Sequence, residues 1–237
     1  MTTSVQQDLT GLVIVVTGAT GAAGPAVVQR LAASGATVVA AGRDQGRLDA
    51  VLQAAGETAG EVQTAVVDLL DEAATTAFAA AVSDRNGRVD GLVHLVGGWR
   101  GGKGIVETDL ADYEWLHDHL VRTLQHVSRA FHDALRASVR GRLVIISTHQ
   151  VEAPSAKNAS YAAAKAAAET WTLAVADSFS GSGAAAVVLP IKALLTPAMR
   201  EAKPDAKFSG YTPVADLART IHDLWLTPAD DLNGRRL

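Results

Sequence analysis

The chain has 237 residues, of which 48% are hydrophobic and 19% charged, with a net charge of −4 and no cysteine. That length reads as one domain able to bury a core without staples, and the composition excludes a disordered chain. With no Lys/Arg run longer than two, there is no footprint for a nucleic-acid backbone; the missing cysteines exclude disulfide scaffolds, thiolate zinc sites and cysteine nucleophiles. The opening MTTSVQQDLT is polar, without the apolar core of a signal peptide, and no run approaches the roughly 18 apolar residues that span a bilayer. A cytoplasmic protein without a membrane partner is expected.

In chain order, the first predicted strand is the aliphatic run 12–18, LVIVVTG, which opens into the turn TGATGAAG at 17–24. Gly18, Gly21 and Gly24 stand three apart, and the helical stretch PAVVQRLAAS follows. A strand, a glycine turn and a helix N-terminus in that order suit a dinucleotide, because the backbone can approach the pyrophosphate and free N–H groups face the phosphates. Pro25 fits the first helical turn, where its missing N–H costs little. The spacing is not G-x-G-x-x-G, and a glycine turn that only packs is the alternative. The second strand, 36–42, ends at Gly42 with Arg43 next. A carboxylate there would hold a ribose hydroxyl, whereas an Arg accepts a 2′-phosphate. The expected cofactor is therefore NADP(H), with NAD(H) second; the alternative is a solvated Arg43 paired with Asp44. The third strand, 62–68, ends at Asp68, placed either to meet an adenine amino group or to cap the next helix. The fourth, 89–98, is followed by Trp99, which can stack on a flat substrate or cover the core.

The fifth run, 141–148, ends at Thr148, and thirteen residues later YAAAK occupies 161–165 within the alanine-rich stretch 156–176. Tyr161 and Lys165 then share a helical face. An ammonium beside a phenol lowers its pKa from about 10 toward neutrality, which would make Tyr161 a general acid or base. Ligands of open α/β sheets bind beyond the carboxyl ends of the strands, where the Thr148 hydroxyl can hold a carbonyl oxygen. The sixth run, 183–190, ends on Pro190, and 233–237 looks like the start of a seventh strand, either very short or continued further. Arg200, Lys203 and Lys207 lie between, as attractors of an anionic substrate or as solvated charge. Near-continuous apolar strands alternating with helical stretches predict a single doubly wound α/β domain over 1–237 with a parallel sheet covered on both faces. The seven histidines show no ligand spacing, so no metal is expected.

The glycine turn, the strand-end hydroxyl, the Tyr-x-x-x-Lys pair and the order of elements together resemble the short-chain dehydrogenase/reductase family over essentially the whole chain. The resemblance implies a Rossmann-type domain, an NAD(P)(H) cofactor, and hydride transfer to or from a carbonyl-type group of a small molecule. It implies Tyr161 as proton donor or acceptor and Lys165 as holder of the nicotinamide ribose. Thr148 stands where the family has serine, with Ser147 the neighbouring candidate. Cofactor contacts are implied for Gly18, Thr20, Gly21, Ala22, Ala23 and Gly24. Arg43, Asp68 and Leu69 join them from the next two strand ends, and Val96, Gly97, Pro190, Ile191 and Thr196 from later ones. Trp99 and His149 are implied for the substrate pocket, and 192–213 for a substrate lid. The chain departs from the family in several places. Ala22 and Ala23 precede Gly24, LVHLVGG (92–98) replaces an N-N-A-G stretch, Ile191 replaces a glycine, and the family's catalytic Asn falls at Leu120, beside His119.

A narrower resemblance, in GGWRGG (97–102), the segment 189–213 and HDLW (222–225), is to quinonoid dihydropteridine reductases. Gly42-Arg43 and Thr148 depart from that group. Carbonyl or alcohol chemistry therefore ranks first, pterin reduction second, and a non-catalytic dinucleotide sensor third. Small residues on several faces of 162–176 predict a helix that needs a second protein surface. A homodimer is expected, with Ala163, Ala167 and Trp171 near its interface and a tetramer as the larger option.

Overall fold

The structure, a computed structural model, describes residues 9–237; most of the polar opening segment lies outside the described residues. Each predicted β-rich run contains a strand. β1 (Val13–Thr17), β2 (Thr37–Gly42), β3 (Val62–Val66), β4 (Gly91–His94), β5 (Arg142–Thr148) and β6 (Ala185–Ile191) pair in parallel in the order β3-β2-β1-β4-β5-β6. The strands read as continuous apolar runs because both faces are covered. Ile14 and Val16 face one side, where Val27, Val28 and Leu31 of α1 (Gly24–Ala33), Leu48 of α2 (Gln45–Ala55) and Leu217 of α8 (Val214–Asp223) pack. Val13 and Val15 face the other, against Phe78 of α3 (Glu72–Asn86), Phe131 of α5 (Thr123–Ala137) and Ala168 of α6 (Ala159–Ser178). The strand order reverses between β1 and β4, which opens a crevice beyond their carboxyl ends.

The opposite end of the sheet is fastened by buried charge. Asp90 accepts the Val13 amide, the Ser138 hydroxyl and two Arg88 N–H groups. Around the crevice lie three irregular segments. A loop after β4 leads to α4 (Leu110–His117), which runs through a π-helical turn, Asp118–Arg122, into α5. A 3₁₀ turn, His149–Val151, follows β5. Residues 192–213 form a short ribbon, Leu194–Leu195 paired with Thr212–Pro213, around α7 (Pro197–Ala202). The expected seventh strand is one parallel bridge between Arg236 and Val188, reached after α9 (Ala229–Leu232) and extended by the Val188 and Leu237 amides.

Candidate active site

The glycine turn forms the floor of the crevice. Gly18 has φ +71°, and a Cβ there would stand 2.7 Å from the Val96 nitrogen; no side chain fits without moving the loop after β4. Gly24 has a different task. A Cβ on it would lie 1.9 Å from the Ala19 carbonyl oxygen, so it lets α1 pack on the turn and does not line the crevice.

Two connected lobes open from this floor. The first, of about 270 Å³, runs under the ends of β2 and β3 and is lined by Thr20, Arg43, Arg47, Asp68 and Leu69. The second, of about 660 Å³, is lined by Ala22, Ala23, Trp99, Ser147, Tyr161, Lys165 and Ile191. Gly18, Gly21, Val96 and Gly97 border both, so the two are one continuous cleft. Asp68 accepts the Leu70 amide, while the cap of α3 is Asp71, which accepts the Ala74 amide; the capping alternative for Asp68 is therefore not what forms. Asp44 is likewise occupied, capping α2 through the Arg47 amide, and Arg43 is exposed with no ion pair among the described residues.

Several expected residues fall elsewhere. Thr148 is buried, its hydroxyl accepts the Gln150 amide at 3.3 Å, and it does not line the cleft. Successive side chains of a strand point to opposite faces, so Ser147 and Thr148 cannot both look into the crevice. Ser147 takes the cleft side, and Thr148 caps the 3₁₀ turn. His149 stands exposed on that turn, outside the cleft. Pro190 lies one residue before the lining Ile191, and the Thr196 hydroxyl accepts the Met199 amide as the cap of α7. Neither Pro190 nor Thr196 lines the cleft.

α6 begins one residue past Asn158, which also lines the cleft, so its first two turns present Tyr161 and Lys165 to the second lobe. Burial pushes the Tyr161 phenol up from its ordinary value. The expected lowering by Lys165 is not what the geometry gives. The Lys165 ammonium lies 6.0 Å from the Tyr161 ring centroid and donates to the Ile146 carbonyl at 2.6 Å. Burial pushes Lys165 itself down to about 8, while Glu169 acts to raise it. Leu120, at the family's Asn position, is buried against Leu116 and Ala164 and has no polar group to offer a proton relay.

Sequence reasoning did not single out several residues of this neighbourhood, Asn158 among them. Arg47 lines the first lobe and donates to the Thr20 carbonyl at 2.7 Å; its spacing of four from Arg43 was the available signal. His94 is buried between the hydroxyls of Thr17 (2.8 Å) and Thr123 (3.3 Å). Burial, with Lys165 second, pushes it down to about 3, so it stays neutral and ties β1 and β4 to α5 beneath the cleft. Gln150 and Tyr211 also line the second lobe; neither was singled out by residue, although Tyr211 lies within 192–213, the segment expected as a lid.

The sequence profile of the short chain dehydrogenase family matches residues 12–207. The chain belongs to the short-chain dehydrogenase/reductase family. It is 31% identical over 178 residues to a protein of Streptomyces virginiae assigned as the ketoacyl reductase of the monensin polyketide synthase, covering 73% of this chain and 67% of that one. Two further curated relatives are matched over 58% and 50% of their own lengths, so the chain spans between half and two thirds of these proteins. Among solved structures, a short-chain dehydrogenase/reductase from Mycobacterium ulcerans superposes with a TM-score of 0.86 at 21% identity, over 96% of this chain and 87% of its own. A metagenomic short-chain oxidoreductase in complex with NADP superposes with a TM-score of 0.81 at 25% identity, over 97% of both chains. That family comprises NAD(P)-dependent dehydrogenases and reductases. The narrower likeness to dihydropteridine reductases has no counterpart among these relatives. No helix among the described residues is long and apolar enough to cross a membrane, and no group of three or more His, Asp or Glu among them could hold a metal.

Proposed function

We propose that this protein reduces a carbonyl group of a small molecule with NADPH, using Tyr161 as the proton donor. One observation carries the reading: Tyr161 and Lys165 line the same continuous cleft as the glycine turn. The cleft fits the dinucleotide on its own terms. Gly18 leaves no room for a side chain where the turn meets the loop after β4, and the first lobe ends between Arg43 and Arg47 with no carboxylate on the strand end. The NADP complex of the metagenomic relative supports the same cofactor. When bound, the nicotinamide supplies a hydride. The chain supplies the rest. Burial keeps the Tyr161 phenol protonated at neutral pH, which suits it to give its proton to a developing alkoxide. Lys165 is still mostly a cation at neutral pH and brings positive charge to the same wall. Trp99, 57% exposed, offers a flat face to the substrate, and Lys192 and Tyr211, from the segment 192–213 that we read as a lid, line the same lobe.

The test is oxidation of NADPH by purified protein against a panel of ketones, β-keto acids and quinonoid dihydropterin. Turnover with ketones or β-keto acids is the expected result; turnover with the pterin alone would overturn the carbonyl reading. Assembly is the second part of the proposal. Ala163, Thr170, Leu173 and Ala174 leave the outer face of α6 exposed, whereas Trp171 is half-buried and donates to Ser128 on α5. Small and apolar residues on that face let a twofold-related α6 approach closely. Sedimentation is expected to give a homodimer; a stable monomer at micromolar concentration would contradict it.

A further inference from the structure

The basic residues expected to attract an anionic substrate are not the ones that reach the cleft. Arg200, Lys203 and Lys207 are exposed and line neither lobe. Arg200 folds back on its own segment, donating to the Ala206 carbonyl at 3.3 Å and lying 4.9 Å from the centre of the Phe208 ring. Lys192 does reach the second lobe, which Tyr161 also lines, and it is seated there. Its Nζ donates to the Ser209 carbonyl at 2.8 Å and lies 5.9 Å from the centre of the Tyr211 ring. Between those two residues Gly210 has φ +77°, and a Cβ on it would stand 3.1 Å from Lys192 Cδ. The backbone at 209–211 thus takes a shape that leaves room for the Lys192 stem. Beside this seat the Thr212 amide donates to the Ala193 carbonyl at 2.8 Å and ties the two arms of the ribbon together.

The charge on this wall is one-sided. Lys165 and Lys192 both line the second lobe, and no Asp or Glu among the described residues does. Ser147, Gln150 and Asn158 add only uncharged polar groups. Lys192 has no ion pair among the described residues, and with one N–H on the Ser209 carbonyl it keeps the others for a ligand. A cation held in place by its own segment, with no carboxylate beside it, suits an anionic group on the compound that enters the lobe. We propose that the second lobe takes a carbonyl compound bearing a carboxylate, a keto acid, and that Lys192 is the residue that selects it. The inference rests on the reading of this lobe as the place of the carbonyl substrate, and it names the substrate class. The carbonyl oxygen goes to Tyr161 and the carboxylate to Lys192.

The experiment compares an α-keto acid and a β-keto acid, phenylglyoxylate and benzoylacetate, each with its methyl ester. The ester keeps the ketone and the ring and removes the charge. All four are titrated calorimetrically into the full chain saturated with NADP⁺, which has no hydride to give, and are then assayed as substrates with NADPH. In at least one pair the acid is expected to bind about tenfold more tightly than the ester, a modest factor because Lys192 is exposed and solvent screens the pairing. Lys192→Gln is expected to weaken the acid alone, so that acid and ester bind alike, and Lys192→Arg, which keeps the charge, to retain the preference. Both changes fall at an exposed position and leave the core untouched, so the fold should persist. No preference for the acid in either pair, including no binding at all, would overturn the inference. So would a Lys192→Gln variant that loses acid and ester equally, which is what a purely structural lysine gives. A loss that falls on NADP⁺ instead would also overturn it, by assigning the cation to the cofactor's phosphates. If the acid binds with the expected preference but NADPH reduces none of the four, the carboxylate site stands and the proposed function fails.

Discussion

Replacing Tyr161 by Phe is expected to lower carbonyl reduction by about 10²–10⁴-fold while dinucleotide affinity stays within a few fold of the parent. The substitution removes one oxygen and keeps the ring, which packs with Leu116, Leu120 and Ala164 in the small cluster under the second lobe. The fold should therefore be little disturbed, and the loss should fall on kcat. Burial raises the phenol from its ordinary value, so under the proposed function Tyr161 is protonated and ready to act as an acid at neutral pH, whereas the reverse oxidation needs it ionised. Reduction should thus remain efficient through neutral pH, whereas oxidation should require more alkaline conditions. The measurements are steady-state kinetics in both directions and dinucleotide binding by fluorescence. Reduction by Tyr161→Phe within a few fold of the parent would remove the assignment for that substrate.

The second large effect concerns the cofactor's phosphate. NADP(H) is expected to bind about 10- to 100-fold more tightly than NAD(H), because a hydrogen bond to a charged group contributes about 1.5–3 kcal/mol. Arg43 has no carboxylate partner among the described residues to give up, and Arg47 uses one N–H on the Thr20 carbonyl and keeps the rest of its guanidinium free. Gly42, at the end of β2, leaves the position before Arg43 without a negative charge that would repel a phosphate. Arg43→Ala is expected to lose most of the preference, and the Arg43→Ala/Arg47→Ala double variant to abolish it, by calorimetric titration with NADP⁺ and NAD⁺. Affinity for NAD⁺ should change little in either variant, since neither side chain is needed for a bare ribose. Equal affinity of the parent for both dinucleotides would refute the phosphate clamp.

The amino-acid sequence alone determined the architecture and the two poles of the cleft. Parallel strands buried on both faces must be apolar throughout, so six such runs separated by helical stretches specify the sheet. The glycine turn is legible because a left-handed residue at Gly18 and a close contact at Gly24 leave a mark in composition. Tyr161 and Lys165 are legible because a spacing of four on a helix fixes a shared face.

What the sequence left undecided depends on how distant segments pack. Whether Ser147 or Thr148 looks into the cleft is a matter of pleat parity and of the turn that follows β5, which adjacent letters cannot show. The direction of the Tyr161 shift is a contest between desolvation and a neighbouring cation. The outcome depends on where the Lys165 ammonium points and how deeply the ring is buried, both set by β5 and the helices around it. The contact between Glu169 and Arg236 joins residues 67 positions apart, and the one between Thr17 and His94 joins residues 77 apart. Spacing rules reach one or two turns of a helix or the two faces of a strand. Beyond that range only the tertiary fold brings side chains together, and here it decided which polar groups surround Tyr161 and Lys165.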